Sequence, residues 1–326
     1  MSQILSIACV IAAIPLTASL ALASPAVAPD WPNKPVTIIV PFPPGGGTDL
    51  VMRSIQPVLS KALGQPVVID NRAGAGGTVG SALVAQARGD GYTAGVVTTS
   101  THAVSPSIYP DLRYDPVQDF SYAGFIGTSP YVLVANPSLG VKNVLDLIEA
   151  MRAHPSNQGF ASVGVGTVSH LMGEQFKKSL DIPIVHVPYR GAAPAYTDLI
   201  GGQVQIMFDN PVGLKSFIDT HKLTALATTE STPLLPDVPT FAEQGIDGFN
   251  QSLWYGVAFP KDTPDDIVQH FNSVLNAALR DPAVAADLAS KGVTARADTP
   301  SAMQEAVARD VIYWGGIVKS VGATNE

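Results

Sequence analysis

The chain has 326 residues, which is long enough for two domains around separate cores. Its formal net charge is −8, and its 19 Lys and Arg residues form no basic stripe, so nucleic acid is not expected as a partner. The single cysteine, Cys9, lies in the N-terminal apolar stretch, so disulfide and thiol chemistry are not expected in the remainder of the chain.

The first residues predict a secretion signal. An apolar stretch over residues 4–22 ends in Ala-Leu-Ala at 21–23, a small-x-small pattern typical of signal-peptidase cleavage before Ser24. The first three residues lack the positive charge usual in such signals. A transmembrane anchor is the alternative, because the stretch approaches the length of a membrane span. We predict a signal peptide over residues 1–23 and export to the periplasm.

Strand-like and helix-like segments alternate after this leader, the pattern of an α/β protein with largely parallel sheets. Apolar residues at helical spacing predict amphipathic helices after residues 49 and 170, and Thr263-Pro264 and Thr299-Pro300 predict the N-caps of two C-terminal helices. Strands are predicted at Val36–Val40, Val67–Ile69, Thr93–Thr98, Tyr131–Ala135, Phe160–Ser162, Ile184–Val187, Val204–Phe208, Leu223–Thr228 and Tyr255–Phe259.

A proline- and glycine-rich loop at residues 41–49 separates the first strand from the first helix. N–H groups in the first turn of a helix have no intrahelical partner, and the helix dipole favours an anion there. Glycine lets the backbone adopt positive φ and approach a ligand closely, although a tight turn without a ligand would need glycine too. Asp49 would repel a carboxylate, so we expect it to hold the loop through backbone N–H groups or to bind a ligand ammonium group. The predicted ligand-binding residues are Pro44, Gly45, Gly46, Gly47, Thr48 and Asp49.

A second loop of this kind follows the strand at Phe160–Ser162 and precedes another helix. Two such loops predict two domains that close on one small carboxylated molecule. Hydroxyl groups of the second loop are expected to donate to the carboxylate, and its histidine either adds charge or is a cap or packing residue of the helix start. Because open α/β sheets bind ligands at the carboxyl ends of their strands, the segment after Thr98 is a third candidate edge. The predicted ligand-binding residues here are Gly166, Thr167, Ser169, His170, Ser100, Thr101 and His102.

Three other side chains have two interpretations each. Arg190 is either the counter-ion of a ligand carboxylate or a surface arginine beside a turn. Trp254 and Tyr255 either pack in the core or at the hinge, or cover an aromatic ligand. The six histidines are scattered without metal-ligand spacing, so neither a metal nor a cofactor is expected.

Eight motifs occur in order along the chain: residues 41–49, Asn71–Gly77, Asp90–Thr93, Thr101–Ala103, Ser169–Leu171, His186–Gly191, Phe208–Asn210 and Leu235–Thr240. Together they resemble the periplasmic solute receptors of the tripartite tricarboxylate transporters, the Bug proteins. The resemblance covers about residues 31–322.

The resemblance implies an α/β fold: a two-domain periplasmic-binding-protein clamshell, type II-like, with a mostly parallel sheet flanked by helices in each domain. Domain 1 would comprise residues 31–127 and 232–326, and domain 2 residues 128–231. Asp209 would bind ligand near the hinge. The family function would be capture of a small mono-, di- or tricarboxylate, aromatic acids included, by a monomeric receptor that delivers it to membrane permease subunits.

Two other functions remain open from the sequence. The same binder could serve as the sensor input of a signalling receptor. A periplasmic enzyme acting on carboxylates is the more remote alternative, because HExxH, Cys-x-x-Cys and G-x-S-x-G motifs are all missing from the sequence. We therefore expect a binding protein without catalytic residues.

Overall fold

The computed structural model describes residues 31–154 and 158–324. The predicted signal peptide and its cleavage site before Ser24 lie outside these residues. Within the described part of the chain, no helix combines the length and apolar character that a membrane crossing requires.

Helices and strands alternate along most of the chain. The strands are β1 Val36–Val40, β2 Val67–Asn71, β3 Thr93–Thr98, β4 Phe120–Pro130, β5 Val132–Ala135, β6 Gly159–Ser162, β7 Val185–Pro188, β8 Ile206–Asp209, β9 Thr224–Thr228, β10 Ser252–Pro260 and β11 Thr294–Ala295. The α-helices are α1 Gly47–Leu63, α2 Thr78–Ala85, α3 Ser105–Ile108, α4 Val144–Ala153, α5 Val168–Ser179, α6 Ala192–Ile200, α7 Pro211–Asp219, α8 Asp265–Arg280, α9 Pro282–Ala289 and α10 Pro300–Val321.

The strands form two sheets, with orders β11-β4-β10-β3-β1-β2 and β7-β6-β8-β5-β9. Both sheets are mixed rather than mostly parallel, because β10 pairs antiparallel with β3 and β4, and β5 pairs antiparallel with β8 and β9. The chain passes from the first sheet to the second through β5, and returns from the second sheet to the first through β10. Both strands start at the edge of the sheet where the neighbouring strands end, without a crossover helix, and they therefore run antiparallel to those neighbours.

Strand β4 is the main element that the sequence did not predict. The expected domain boundary between residues 127 and 128 falls inside this strand, because Ser129 and Pro130 pair with Leu253 and Ser252 of β10. Glycine lowers the strand propensity of this segment, which contains Gly124 and Gly127. Long-range pairing with β10 compensates for that low propensity.

The segment in which the chain crosses back from the second sheet to the first lies later in the sequence than the expected boundary at residue 232. The rings of Phe241 and Phe249 stack on Phe208 of β8, and Thr240 forms a bridge with Thr228 of β9. Residues 240–249 therefore pack on the second sheet, although residues 232 onward were assigned to domain 1. We propose that the second crossing lies near residue 250.

The two C-terminal helices begin differently from each other. Thr299 caps α10, as predicted, because its side chain accepts a hydrogen bond from the Ala302 N–H group. Thr263 does not cap α8, since Pro264 occupies the N-cap position and the Thr263 hydroxyl donates to the carbonyl of Pro260.

Candidate functional site

The carboxyl ends of the two sheets meet at one cleft. Ser100 follows β3 of the first sheet, and its Oγ accepts a hydrogen bond from the N–H group of Val168, at the start of α5 beside the second sheet, at 3.0 Å. Gly47, which begins α1, lies against the side chain of Asn210, which follows β8. The cleft is thus bordered by strand ends and helix starts from both domains.

A small cavity of about 40 Å³, here called the inner cavity, lies between these elements. Tyr131, in the first crossing between the sheets, contributes to it. Asp209 is its single carboxylate, and no Lys, Arg or His is among its lining residues. It is lined by Phe42, Pro43, Gly46, Gly47, Thr48, Thr98, Ser100, Tyr131, Val163, Gly191, Ala192, Asp209, Asn210 and Leu253.

Asp49 holds the first glycine loop in place. One carboxylate oxygen accepts hydrogen bonds from the N–H group of Gly45 and from Nε of Arg53, both at 2.8 Å, and the other accepts from Nδ2 of Asn71 at 3.0 Å. Burial opposes ionisation of Asp49, but these hydrogen bonds outweigh it and lower its pKa. Asp49 therefore has the loop-holding role, and it does not line the inner cavity.

The start of α1 leaves backbone donors free beside the inner cavity. No side chain caps the helix. Among the described residues, the N–H groups of Gly47 and Thr48 have no hydrogen-bond acceptor, while the N–H of Leu50 donates to Gly46. Such unpaired N–H groups at a helix start are suited to bind an anion.

The glycines of this loop differ in their conformation. Positive φ occurs at Gly45, at 79°, whereas Gly46 has an extended backbone with φ of −75°. Pro44 and Gly45 lie at the exposed tip and do not line the inner cavity. Gly47 is the glycine that lets the start of α1 approach Asn210 closely, because a Cβ at Gly47 would lie 2.5 Å from Oδ1 of Asn210.

The hydroxyl groups of the second predicted loop point into domain 2. The Ser169 hydroxyl donates to the carbonyl of Phe208 at 2.5 Å, and the Thr167 hydroxyl donates to the carbonyl of Gly164 at 2.7 Å. The Thr167 side chain also caps α5 by accepting from the N–H group of His170. Neither residue lines the inner cavity, because its hydroxyl is used within its own domain.

His170 and Gly166 also lie away from the inner cavity. The N–H group of Gly166 donates to Nδ1 of His170 at 3.3 Å, and the His170 ring stacks on that of His186 with centroids 4.1 Å apart. Burial and the charge of Lys177 lower the pKa of His170 to about 4. Neutral His170 is therefore a packing residue of the α5 start, one of the two roles expected for it.

The sequence predicted that the start of α5 would face the ligand from the second domain. In the structure the start of α6 lines the inner cavity instead. Gly191 and Ala192 line the inner cavity opposite the first loop. Gly191 has φ of 103°, and a Cβ there would lie 2.7 Å from Cγ of Pro43 in the other domain. The order of β7, glycine and α6 repeats the strand–glycine–helix pattern and could have identified this position from the sequence.

Thr101 and His102 are buried behind the cleft and do not line the inner cavity, whereas Ser100 does. The Thr101 hydroxyl bonds to Thr98 and lies 2.9 Å from Nδ1 of His102. Burial lowers the pKa of His102 to about 3, so its ring is neutral in the core. Its ring packs on Tyr114, Phe120 and Tyr122.

Asp209 lies in the wall of the inner cavity, as the resemblance implied. Its Oδ2 accepts from the Tyr196 hydroxyl at 2.7 Å, and its Oδ1 accepts from the N–H group of Asn210 at 2.8 Å. Burial raises the pKa of Asp209 to about 6, although both hydrogen bonds oppose the rise. Asp209 is therefore an ionised but readily protonated group near neutral pH.

Trp254 and Tyr255 pack on the first sheet rather than in the inner cavity. Nε1 of Trp254 donates to Asp310, and burial raises the pKa of the Tyr255 hydroxyl. Several other lining residues are not among the predicted ligand-binding residues, because most of them lie outside the two glycine loops and the hydroxyl-rich segment from which that set was drawn. These are Phe42, Pro43, Thr98, Tyr131, Val163, Gly191, Ala192, Asn210 and Leu253.

Within residues 31–154 and 158–324, one group of metal-ligand types comes together: ligand atoms of His170, Glu174 and His186 lie within 4.8 Å of one another. The two imidazole rings are stacked with an interplanar angle of 21°. A bound metal lies near the plane of each imidazole ligand, so two nearly parallel stacked rings do not point at one ion. Lys177, 3.6 Å from Glu174, supplies positive charge instead. The arrangement fits a packed histidine pair and not a metal site.

A second, larger cavity of about 620 Å³, here called the outer cavity, adjoins the inner one. Both cavities are lined by Phe42, Pro43, Val163 and Gly191. The outer cavity additionally reaches the Ala73–Gly77 loop, Tyr109 and Arg190. The cleft therefore contains a small inner cavity at the strand ends and a larger outer cavity beside it.

Comparison with known proteins identifies the family to which this architecture belongs. The family model for the tripartite tricarboxylate transporter family receptor matches residues 51–323. Protein BugT of Bordetella pertussis is 36% identical over 309 residues, covering 94% of this chain and 95% of BugT. The structure of the periplasmic binding protein BugD has a TM-score of 0.86 at 33% identity, over 90% of this chain and 100% of BugD.

A structure of an R. palustris protein with adipate has a TM-score of 0.87 at 34% identity, over 90% of this chain and 100% of that one. These similarities confirm the predicted two-domain α/β clamshell. They also confirm the family that the eight motifs indicated. This chain belongs to the tripartite tricarboxylate transporter family receptors, the group of periplasmic solute-binding proteins that includes the Bug proteins.

Proposed function

We propose that this protein captures a small carboxylate between its two domains in the periplasm and delivers it to the membrane permease of a tripartite tricarboxylate transporter. The observation that carries the proposal is the pair of unpaired N–H groups, Gly47 and Thr48, at the start of α1 beside the inner cavity. The adipate bound to the R. palustris relative supports a carboxylate as the ligand class.

The inner cavity offers neutral donors for anion binding. The whole chain carries a net charge of −8, which repels anions at long range, and no cation lines the inner cavity. Affinity then depends on short-range donors: the two N–H groups and the hydroxyl groups of Thr48, Ser100 and Tyr131. Hydrogen bonds to a charged group contribute about 1.5–3 kcal/mol each, and a micromolar complex needs about 8 kcal/mol. Four or five such donors supply that energy after the cost of closure.

The ligand-binding residues that we propose differ in part from those predicted. Gly46, Gly47, Thr48, Ser100 and Asp209 keep that role because they line the inner cavity. Tyr131, Gly191, Ala192 and Asn210 are added to the set. Pro44, Gly45, Asp49, Thr101, His102, Gly166, Thr167, Ser169 and His170 would support the site without lining its inner cavity.

A thermal-shift panel tests the carboxylate. Aliphatic and aromatic acids should raise the unfolding temperature, whereas the matching amides should not, because the donors need a charged acceptor. At a hundred times Kd the gain in unfolding free energy is about 2.7 kcal/mol. If no acid shifts the transition, the carboxylate proposal fails.

Delivery to a permease is tested in cells. Deleting this receptor should abolish uptake of the acid that the panel identifies, and the wild-type chain should restore uptake. Uptake that persists while a transcriptional response to the acid disappears would instead support the sensor function.

A further inference from the structure

The two cavities share four lining residues, Phe42 and Pro43 from the first domain and Val163 and Gly191 from the second. A Cβ at Gly191 would lie 2.7 Å from Cγ of Pro43, so the two domains approach each other closely beside both cavities. The inner cavity has a volume of about 40 Å³ and the outer cavity a volume of about 620 Å³.

The outer cavity has a different chemistry from the inner one. Its lining consists largely of glycine, alanine, proline and valine, and Arg190 is its single charged residue. The Arg190 side chain is exposed and makes no hydrogen bond or ion pair with any described residue. The nearby Asp198 is already bonded to the hydroxyl of Tyr189 at 2.7 Å. Arg190 is therefore a cation without a partner among the described residues, and it lines a cavity whose other lining residues are uncharged.

We propose that Arg190 forms a second anion subsite, in the outer cavity, and that the preferred ligand is an elongated dicarboxylate. One carboxylate lies at the N–H groups of Gly47 and Thr48 in the inner cavity. The chain of the ligand extends past the four residues that line both cavities, and its second carboxylate binds the guanidinium group, whose planar donors match a carboxylate in pairs. This inference rests on the proposed function, because it needs the first carboxylate in the inner cavity.

Matched pairs of acids test the subsite by calorimetry at low ionic strength: butanoate and succinate, hexanoate and adipate, octanoate and suberate. Wild-type protein should bind the longer diacids more tightly than the monoacids of equal length. Arg190→Gln should weaken binding of those diacids about fivefold, the upper range for an exposed ion pair, and leave the monoacids unchanged. High salt should shrink the difference, because it screens an exposed charge pair.

Arg88→Gln is the matched control, since Arg88 is exposed and lines neither cavity. It changes the net charge equally and should leave every affinity unchanged. Arg190→Lys should restore part of the diacid preference. Equal losses for mono- and diacids in Arg190→Gln, or no loss for either, would overturn the subsite while leaving the proposed function intact. Wild-type protein that binds none of the acids would overturn both.

Discussion

The hydroxyl of Tyr109 donates a hydrogen bond at 2.7 Å to the backbone carbonyl of Val165, across the cleft between the two sheets. Two glycines make this contact sterically possible. A Cβ at Gly76 would lie 2.4 Å from the Val165 oxygen, and a Cβ at Gly166 would lie 2.4 Å from the Tyr109 ring. The glycine loop that the sequence indicated as a second anion site is therefore a contact surface between the domains.

We expect Tyr109→Phe to weaken ligand binding without unfolding the protein. The substitution removes one hydrogen bond of the closed form, worth about 0.5–1.5 kcal/mol, so affinity should fall about two- to tenfold. Calorimetry with a bound acid measures the affinity, and small-angle scattering measures the closed fraction. Tyr92→Phe is the control, because that hydroxyl bonds to Asn33 away from the cleft. Equal affinities in Tyr109→Phe and wild type would show that the contact does not stabilise closure.

Gly47→Ala should separate binding from stability. Its Cβ would lie 2.5 Å from Oδ1 of Asn210, whose amide is held by Asp209, so closure is obstructed and affinity should fall at least about tenfold. Unfolding free energy should rise by a few tenths of a kcal/mol or more, because alanine is the better helix former by about 1 kcal/mol. Gly316→Ala is the control, since Gly316 lies inside α10, lines neither cavity, and a Cβ there would have no neighbour within 4 Å. Retained affinity in Gly47→Ala would contradict the close approach of Gly47 and Asn210.

Ser169→Ala should lower the stability of the fold and leave ligand affinity nearly unchanged, whereas substitution of a ligand contact should lower affinity. Its hydroxyl is buried and donates to the carbonyl of Phe208, so the loss should lower the unfolding free energy by about 1–3 kcal/mol. Ligand affinity should change little. Chemical denaturation measures the first quantity and calorimetry the second. A large loss of affinity at wild-type stability would return Ser169 to the binding site.

Carboxylate affinity should rise as pH falls through the pKa of Asp209. Burial raises that pKa to about 6, so the group is ionised at pH 8 and largely protonated at pH 5. Protonation removes a negative charge from the cavity wall, which should tighten binding by about tenfold. Asp209→Asn should bind tightly at both pH values, and comparing the two proteins cancels the titration of the ligand itself. A parallel pH dependence in both would exclude Asp209 as its source.

Acid should destabilise the fold through its buried histidines. Burial, together with His170 and Lys177, lowers the pKa of His186 to about 3. Neutral His186 therefore stabilises the fold above its unfolded pKa of about 6.5, and this contribution is lost as pH falls below that value. His186 also faces Glu174, which is paired with Lys177.

His186→Phe tests this dependence, since it keeps the stacked ring and removes the proton site. The unfolding free energy should fall less steeply between pH 6.5 and 4 than in wild type, by at most one proton. Partial solvent contact of the ring makes the effect smaller. Urea denaturation across this pH range measures both slopes. Identical slopes would show that His186 is not a source of the acid sensitivity.

The sequence determined the local features of this protein. Glycines after a strand, with a helix pattern behind them, correctly placed the start of α1, whereas the sequence left two roles open for Asp49. Strand positions such as β1 and β3 followed from short runs of β-branched residues, because backbone preference is a local property. The ordered motifs indicated the family, which the comparisons confirm.

The tertiary structure alone decided where each polar side chain points. Nothing local distinguishes a serine that donates to a ligand from Ser169, which donates to a carbonyl 39 residues away. Gly191 lines the inner cavity because Pro43 of the other domain lies against it, and β4 forms because β10 pairs with it. These choices depend on contacts between distant residues, whose partners exist only once the chain has closed its long loops.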